Sequence, residues 1–264
     1  MPRLYDLSVR FVSRWIFNCY IVEDGGVGRP LVVDPGLPCT AEAAAHELAE
    51  LEAQALAIAS THGHSDHVGG IPTLVARGDT AVYLPRRCAD YLSGETPRSP
   101  GLREVVKILP VLGEQPFDAR AAREFATEAG GGYGRSPRMT APFTVDGYLD
   151  DGRPLEAAPA WEVIHAPGHT DDSTCLYHRD SATLIAGDAV LSLGGRAWLN
   201  PEVVDPALAN ETEARLRSLD VRHLLPGHGL PIEGRHLMRD ARSFATRPAS
   251  RGWRATVARA VGRW

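Results

Sequence analysis

Apolar residues along this chain fall into short blocks separated by turn-forming residues, and the spacing within the blocks alternates between strand and helix. Residues 4–12 and 15–22 are rich in Val, Ile, Phe, Trp and Tyr and end at Glu23-Asp24-Gly25-Gly26, the pattern of strands closed by a turn. Leu31-Val32-Val33 is a compact strand that stops at Asp34-Pro35-Gly36. Thr40 then stands where a helix cap is expected, with Ala44, Leu48, Leu51 and Ala55 at helical spacing through about residue 54. Residues 56–60 read as a buried strand, Val68 to Ala76 as the next helix, and residues 80–84 as strand again.

From about 95 to 145 the pattern loosens. Prolines from Pro97 to Pro142 and the run Gly130-Gly131-Gly132 break any long element, leaving a short helix over 118–128. This stretch reads as an insertion or lid within one domain spanning 1–246. Order returns with strands near 161–165, 174–178 and 182–187, and a helix over 206–219 with Asp205 as cap and Pro206 at its first position. A strand at 221–225 and a helix over about 235–245 follow. Strand and helix thus alternate in two similar halves, which predicts an α/β fold of two sheets packed face to face with helices outside.

The tail from 247 to 264 is different. After Asp240 no acidic residue occurs, while Arg242, Arg247, Arg251, Arg254, Arg259 and Arg263 follow, and Trp253, Val257, Ala260, Val261 and Trp264 share one helical face. Such a basic amphipathic segment is expected to dock on this domain or on a second copy in a homodimer; an anionic membrane surface is the alternative.

At 264 residues, 44% hydrophobic and 23% charged, the chain has the composition of a globular protein with a sizeable core. A net charge of −5 lacks the basic surplus that nucleic-acid binding requires. Cys19, Cys39, Cys88 and Cys175 form no CxxC pair and read as buried reduced thiols. With no signal-like or membrane-spanning apolar run, a cytoplasmic location is expected.

The chemistry concentrates at residues 60–70, Ser-Thr-His-Gly-His-Ser-Asp-His-Val-Gly-Gly. His62, His64, Asp66 and His67 follow a buried strand and precede a helix, so their side chains converge at the strand's end. Imidazole and carboxylate suit zinc and similar divalent ions. Residues two apart project to one side, so His62 and His64 can share one ion while Asp66 and His67 face a second. Three later strands also end on a ligand type: His169 in Ala166-Pro167-Gly168-His169-Thr170, Asp188 after Leu184-Ile185-Ala186-Gly187, and His228 in Leu225-Pro226-Gly227-His228-Gly229.

The pattern HxHxDH at 62–67, followed in order by His169, Asp188 and His228, resembles the metallo-β-lactamase superfamily. The resemblance implies a four-layer αββα sandwich of two mixed sheets flanked by helices. It implies a first ion on His62, His64 and His169, a second on Asp66, His67 and His228, and Asp188 between them. Asp34 matches a position that supports the ligand loop by hydrogen bonding. The cofactor implied is a pair of Zn2+ ions, with Fe or Mn as alternatives, and Asp66 is the candidate to orient the attacking water and carry its proton.

Departures narrow the branch. Position 64 is His where the diiron flavoprotein branch has Glu, and Asp188 stands where some true β-lactamases carry Cys. His228 is followed by Gly229, not by the acidic residue of glyoxalase II, and Thr170 by Asp171-Asp172 where Pro-Gly is usual. The arm that grips RNA in the nucleic-acid branch is absent. What remains is a hydrolase of small-molecule lactones, esters or thioesters, with a mononuclear iron persulfide dioxygenase as the alternative. Tyr133, within Gly-Gly-Gly-Tyr-Gly, reads either as a mobile, substrate-binding aromatic that covers the ligand or hydrogen-bonds a carbonyl, or as a surface loop tip.

Overall fold

The computed structural model describes residues 4, 7–23, 29–51 and 55–246; the basic segment 247–264 lies outside the described residues. Two six-stranded sheets form the body. The first runs in chain order through β1 (Val9–Arg14), β2 (Phe17–Val22), β3 (Leu31–Val33), β4 (Ala55–Ala59), β5 (Asp79–Pro85) and β6 (Gly147–Leu149), antiparallel up to β3 and parallel thereafter. The second contains β7 (Pro154–Leu155), β8 (Ala158–His165), β9 (Thr174–His178), β10 (Thr183–Gly187), β13 (His223–Pro226) and β14 (Ile232–Glu233), in the order β14-β13-β10-β9-β8-β7. Only β10 and β13 pair in parallel there. A separate hairpin, β11 (Val190–Leu193) with β12 (Arg196–Leu199), projects beside them.

Burial on both faces explains why these strands are continuously apolar. Along β2, Tyr20 and Val22 point into the layer between the sheets, where they meet Val33, Ala59, Trp161, Val163, Leu176, Ile185 and Leu225. Cys19 and Ile21 point the other way, onto α1 (Pro38–Ala49) and α3 (Ile71–Val75) through Ala41, Ala44, Leu48, Ile71 and Leu74. On the far side of the second sheet, Ile164, Cys175, Tyr177, Leu184 and Ala186 pack with Leu216 of α7 (Pro206–Arg217). The period of two along each strand therefore sorts side chains into helix, sheet, sheet and helix layers. All four cysteines are free and buried, and no described helix is long and apolar enough to cross a membrane.

Three helix expectations need correction. The first helix begins at Pro38, not at Thr40, with Leu37 at the cap position and Thr40 buried inside; proline's fixed φ preorganises the first helical position. The expected helix from Val68 to Ala76 is two short ones, α2 (Ser65–Val68) and α3, broken at Gly69-Gly70. Residues 235–245 form turns instead of a helix. There the Arg217 guanidinium takes the carbonyls of Met238, Arg239 and Ala241, and Arg242 exchanges backbone bonds with β12, so these groups cannot form a helical ladder.

The loose segment contains α4 (Cys88–Leu92) just before it, then α5 (Leu102–Val105), a 3-10 helix at Val106–Gly113, and α6 (Ala119–Ala126) capped by Asp118. The 3-10 helix is anchored by Ile108 and Val111 on Leu191 and Trp198 of the β11–β12 hairpin.

Leu176, 1% exposed between the sheets, and Leu102, 80% exposed on α5, provide a direct contrast. Leu176→Ala is expected to lower the unfolding free energy by about 2–5 kcal/mol, and Leu102→Ala to change it by less than about 0.5 kcal/mol. Urea titration followed by circular dichroism measures both, and equal effects would contradict the layer assignment.

Candidate metal centre

Every ligand candidate sits where a strand stops at the same rim of the sandwich. β4 delivers the loop Ser60–His64 and the short α2, which carries Asp66 and His67. β8, β10 and β13 run into the turns bearing His169, Asp188 and His228. All seven side chains, spread over 167 positions from His62 to His228, meet in one buried cluster, with His64 half-buried.

Within the cluster the donor atoms form two triads joined by Asp188. His62 Nε2 lies 3.0 Å from His64 Nδ1, and His169 Nε2 lies 3.3 Å from the same atom. Asp66 Oδ2 stands 3.4 Å from His228 Nε2 and 3.9 Å from His67 Nε2. Asp188 Oδ2 is 3.5 Å from His169 Nε2 and 3.2 Å from His228 Nε2, and its Oδ1 is 3.5 Å from His67 Nε2. Donors bound at about 2.0–2.1 Å around one tetrahedral ion stand about 3.3–3.4 Å apart. The observed spacings match that edge, so the residues fit a pair of divalent cations, one per triad.

The outer nitrogens of the rings are fixed so that the inner ones face the cluster. His169 Nδ1 donates to the Glu202 carbonyl and His228 Nδ1 to the Ile16 carbonyl, each at 2.8 Å. A carbonyl only accepts, so each Nδ1 carries the proton and Nε2 is directed inward. His67 Nδ1 lies 3.0 Å from Asp34 Oδ2. Asp188 Oδ1, at the junction of the triads, is buried without a hydrogen-bond partner, an arrangement that is costly unless a further group completes it.

Charge in the cluster is polarised between its two halves. Burial drives His62 well below the usual histidine range, helped by the facing His67 and His64, and lowers His64 to about 4. Burial also opposes charge on His67 and His228, but the carboxylates outweigh it. Asp34, Asp188 and Asp66 lift His67 to about 10, and Asp188 with Asp66 holds His228 far above its ordinary value. Burial raises Asp66 and Asp188, yet the imidazoles prevail: Asp66 falls to about 2 and Asp188 lies well below the carboxylate range. His62 and His64 are therefore held neutral at physiological pH, whereas Asp66, His67, Asp188 and His228 form an ionised network.

Asp34 plays both parts read for it in the sequence. It turns the chain, with a left-handed φ of 51° that Asp tolerates better than most residues. Its carboxylate also accepts from the Thr61 amide and hydroxyl, each at 2.7 Å, while facing His67. One buried side chain thus sets both ends of the ligand loop.

Tyr133 is neither a mobile aromatic nor a loop tip. Its side chain is fully buried, the ring meets His64 at a 4.8 Å centroid distance, and the hydroxyl donates to Asp172. Its backbone exchanges bonds with Gly63 and Ser65, so the glycine run is stitched to the ligand loop. The glycines serve close approach instead of motion: a Cβ on Gly130, at φ 91°, would lie 1.8 Å from the Gly69 carbonyl oxygen.

Sequence reading missed the hub of that packing. Asp172 is buried and accepts from the Gly63 amide at 2.8 Å, from Cys88 Sγ at 3.2 Å and from Tyr133. It therefore clamps the peptide between His62 and His64, which accounts for a carboxylate where the Pro-Gly pair is usual. Asn200, which donates to the Asp188 carbonyl at 2.9 Å, and Glu202, which anchors His169, were missed as well. Their only signal is a polar Asn-Pro-Glu directly after an apolar strand.

The turn bearing His228 is held by the first sheet. Asn18 Nδ2 donates to the Pro226 and Gly229 carbonyls at 2.9 and 2.6 Å, and the Tyr20 hydroxyl donates to Pro226 at 2.7 Å. Gly227 must lack a side chain, because a Cβ would stand 2.2 Å from Asp188 Oδ1. Above the cluster opens a cavity of about 420 Å3, bounded at its floor by His64, Asp66, His169, Asp188 and His228.

Comparison with known proteins agrees with this geometry. The chain is 27% identical over 260 residues to the probable metallo-hydrolase YflN of Bacillus subtilis, covering 89% of each chain. Among solved structures, the BLEG-1 B3 metallo-beta-lactamase superposes with a TM-score of 0.57 at 21% identity, over 85% of this chain and 93% of that one. TTHA1623, solved in a di-iron-bound form, superposes with a TM-score of 0.54 at 25% identity over the same shares of the two chains. The model of the metallo-beta-lactamase superfamily matches residues 14–228, a span that holds all seven clustered side chains, and the chain belongs to that superfamily.

Proposed function

We propose that this protein is a dinuclear metal-dependent hydrolase, with zinc the expected cation, acting on small-molecule lactones, esters or thioesters. The observation that carries the reading is the pair of donor triads sharing Asp188 at the floor of a cavity. A divalent pair held there supplies an acidified water at neutral pH and draws electron density from a substrate carbonyl oxygen.

The chain's own groups do the rest. Asp66 is a carboxylate that borders the cavity, 3.4 Å from His228 Nε2. It is placed to orient the attacking water and to take its proton. Asp188 fixes the spacing of the triads, and Asp34 with Asp172 fixes the loop that supplies four of the seven ligands. The small-molecule assignment is supported by the closed floor and modest volume of the cavity. The YflN name, probable metallo-hydrolase, supports the hydrolase part of the reading.

Iron is the second reading, since TTHA1623 was solved with two irons. The alternative enzyme, a mononuclear iron persulfide dioxygenase, would differ from that di-iron form in holding a single iron per chain and would consume oxygen with glutathione persulfide. Elemental analysis paired with an oxygen electrode separates it from hydrolysis.

Asp188→Ala is expected to remove most of the bound metal and to abolish esterase activity, measured by elemental analysis and a chromogenic ester; full occupancy with full activity sinks the proposal. Metal binding should also release protons. His67 and His228 sit above neutrality in the metal-free protein and carry protons at pH 7 that a cation must displace from Nε2. Calorimetry at pH 7 in buffers of different ionisation enthalpy should therefore show about two protons released when the second triad fills, with affinity weakening as pH falls; no proton release contradicts the ionised network. Asp34→Asn keeps the turn but loses the charge facing His67, and should weaken metal affinity roughly 10–100-fold in a chelator competition. Unchanged affinity would reduce Asp34 to a turn residue.

A further inference from the structure

The cavity over the candidate metal centre is lined mainly by apolar side chains above its floor, with Ser99, Glu128 and Arg135 the polar residues among them. One wall begins at a ligand: the Phe17 ring stands edge-on to His228 at 5.8 Å, and Phe125 follows at 5.3 Å from Phe17. Trp15 extends that wall, edge-on to Phe17 at 5.8 Å. Its indole nitrogen donates to the Leu112 carbonyl at 3.0 Å, tying the wall to the 3-10 helix opposite. From that side Leu109 and, from α5, Leu102 and Val105 line the cavity.

These apolar side chains are not consumed by the core. Leu109 is 47% exposed, Phe125 42% and Leu102 80%, although each lines the cavity. Large apolar groups left open beside a concave site mark a binding surface. Apolar side chains thus extend from beside a candidate ligand, His228, to exposed positions at the mouth, an arrangement suited to a chain attached to the reacting group.

We propose that the substrate carries an unbranched aliphatic acyl chain, which lies along the slot between Phe17 and Phe125 on one side and Leu102, Val105 and Leu109 on the other. This rests on the hydrolase reading above. The volume of about 420 Å3 accommodates on the order of ten methylenes, each about the size of a water molecule. The carbonyl carbon then sits at the floor. Water's oxygen bonds to that carbon, the acyl C–O or C–S bond breaks, and one water proton passes to the departing alcohol or thiol. The carboxylic acid retains the chain, and no electrons are gained or lost.

The test uses the metal-loaded full chain with p-nitrophenyl esters from butyrate to decanoate. Each methylene added is expected to raise kcat/KM about threefold, until the chain reaches the open mouth. Leu109→Glu should lower the decanoate-to-butyrate ratio of kcat/KM by at least about tenfold; as a ratio within one preparation, it is unaffected by the fraction of active protein. In parallel, calorimetry with butyrate, hexanoate, octanoate and decanoate should show affinity climbing with length. Hydrolysis that is flat with chain length overturns the acyl slot and leaves the hydrolase reading standing. No hydrolysis of any ester, with fatty-acid affinity still climbing, overturns the hydrolase reading and keeps the slot. Flat affinities from a protein that sediments as a dimer assign the apolar mouth to a second copy and overturn the proposal.

Discussion

Burial of many ionisable groups in one place is the constraint on which the rest of this structure depends. Five imidazoles and two carboxylates share a small volume at one rim, and an ion removed from water loses several kcal/mol of hydration that only excellent geometry restores. The fold meets this in part by giving several of these groups a fixed partner outside the cluster. Carbonyls of Glu202 and Ile16 hold two rings, Asp34 faces a third, and Asn200 holds the backbone of Asp188.

Those outer partners explain why so much of the chain is rigid around one site. Asp34 follows β3, Asp172 precedes β9, and Asn200 follows β12, so three strand ends converge on the ligand turns from outside. The glycine-rich segment around Tyr133 belongs to the same scaffold: it presses on the ligand loop through backbone bonds and through a ring stacked edge-on to His64. The region looks irregular in sequence because its order comes from contacts to residues far away in the chain.

How legible the molecule is in its sequence follows the same division. Strands buried on both faces, such as Leu31–Val33 and Thr183–Gly187, announce themselves as unbroken apolar runs. The seven clustered residues are visible because each is a rare residue type at the end of such a run. Asp172, Asn200 and Glu202 are ordinary polar residues whose importance lies only in what they touch, and no periodicity marks them. The turns at 235–245 misled for a related reason: a helical pattern gave way because Arg217, on another element, claimed their carbonyls. Single-sequence patterns register a residue's neighbours in the chain, whereas a side chain that competes for distant backbone groups leaves no local trace.

The hold of Asn18 and Tyr20 on the turn that bears His228 has a consequence for biogenesis. The amino-terminal half owns His62, His64, Asp66 and His67, and the carboxy-terminal half owns His169, Asp188 and His228, so a nascent chain has neither complete triad until its last sheet has docked. A full candidate cation site therefore forms only where the two sheets meet, and a chain lacking its carboxy-terminal sheet would hold neither triad complete.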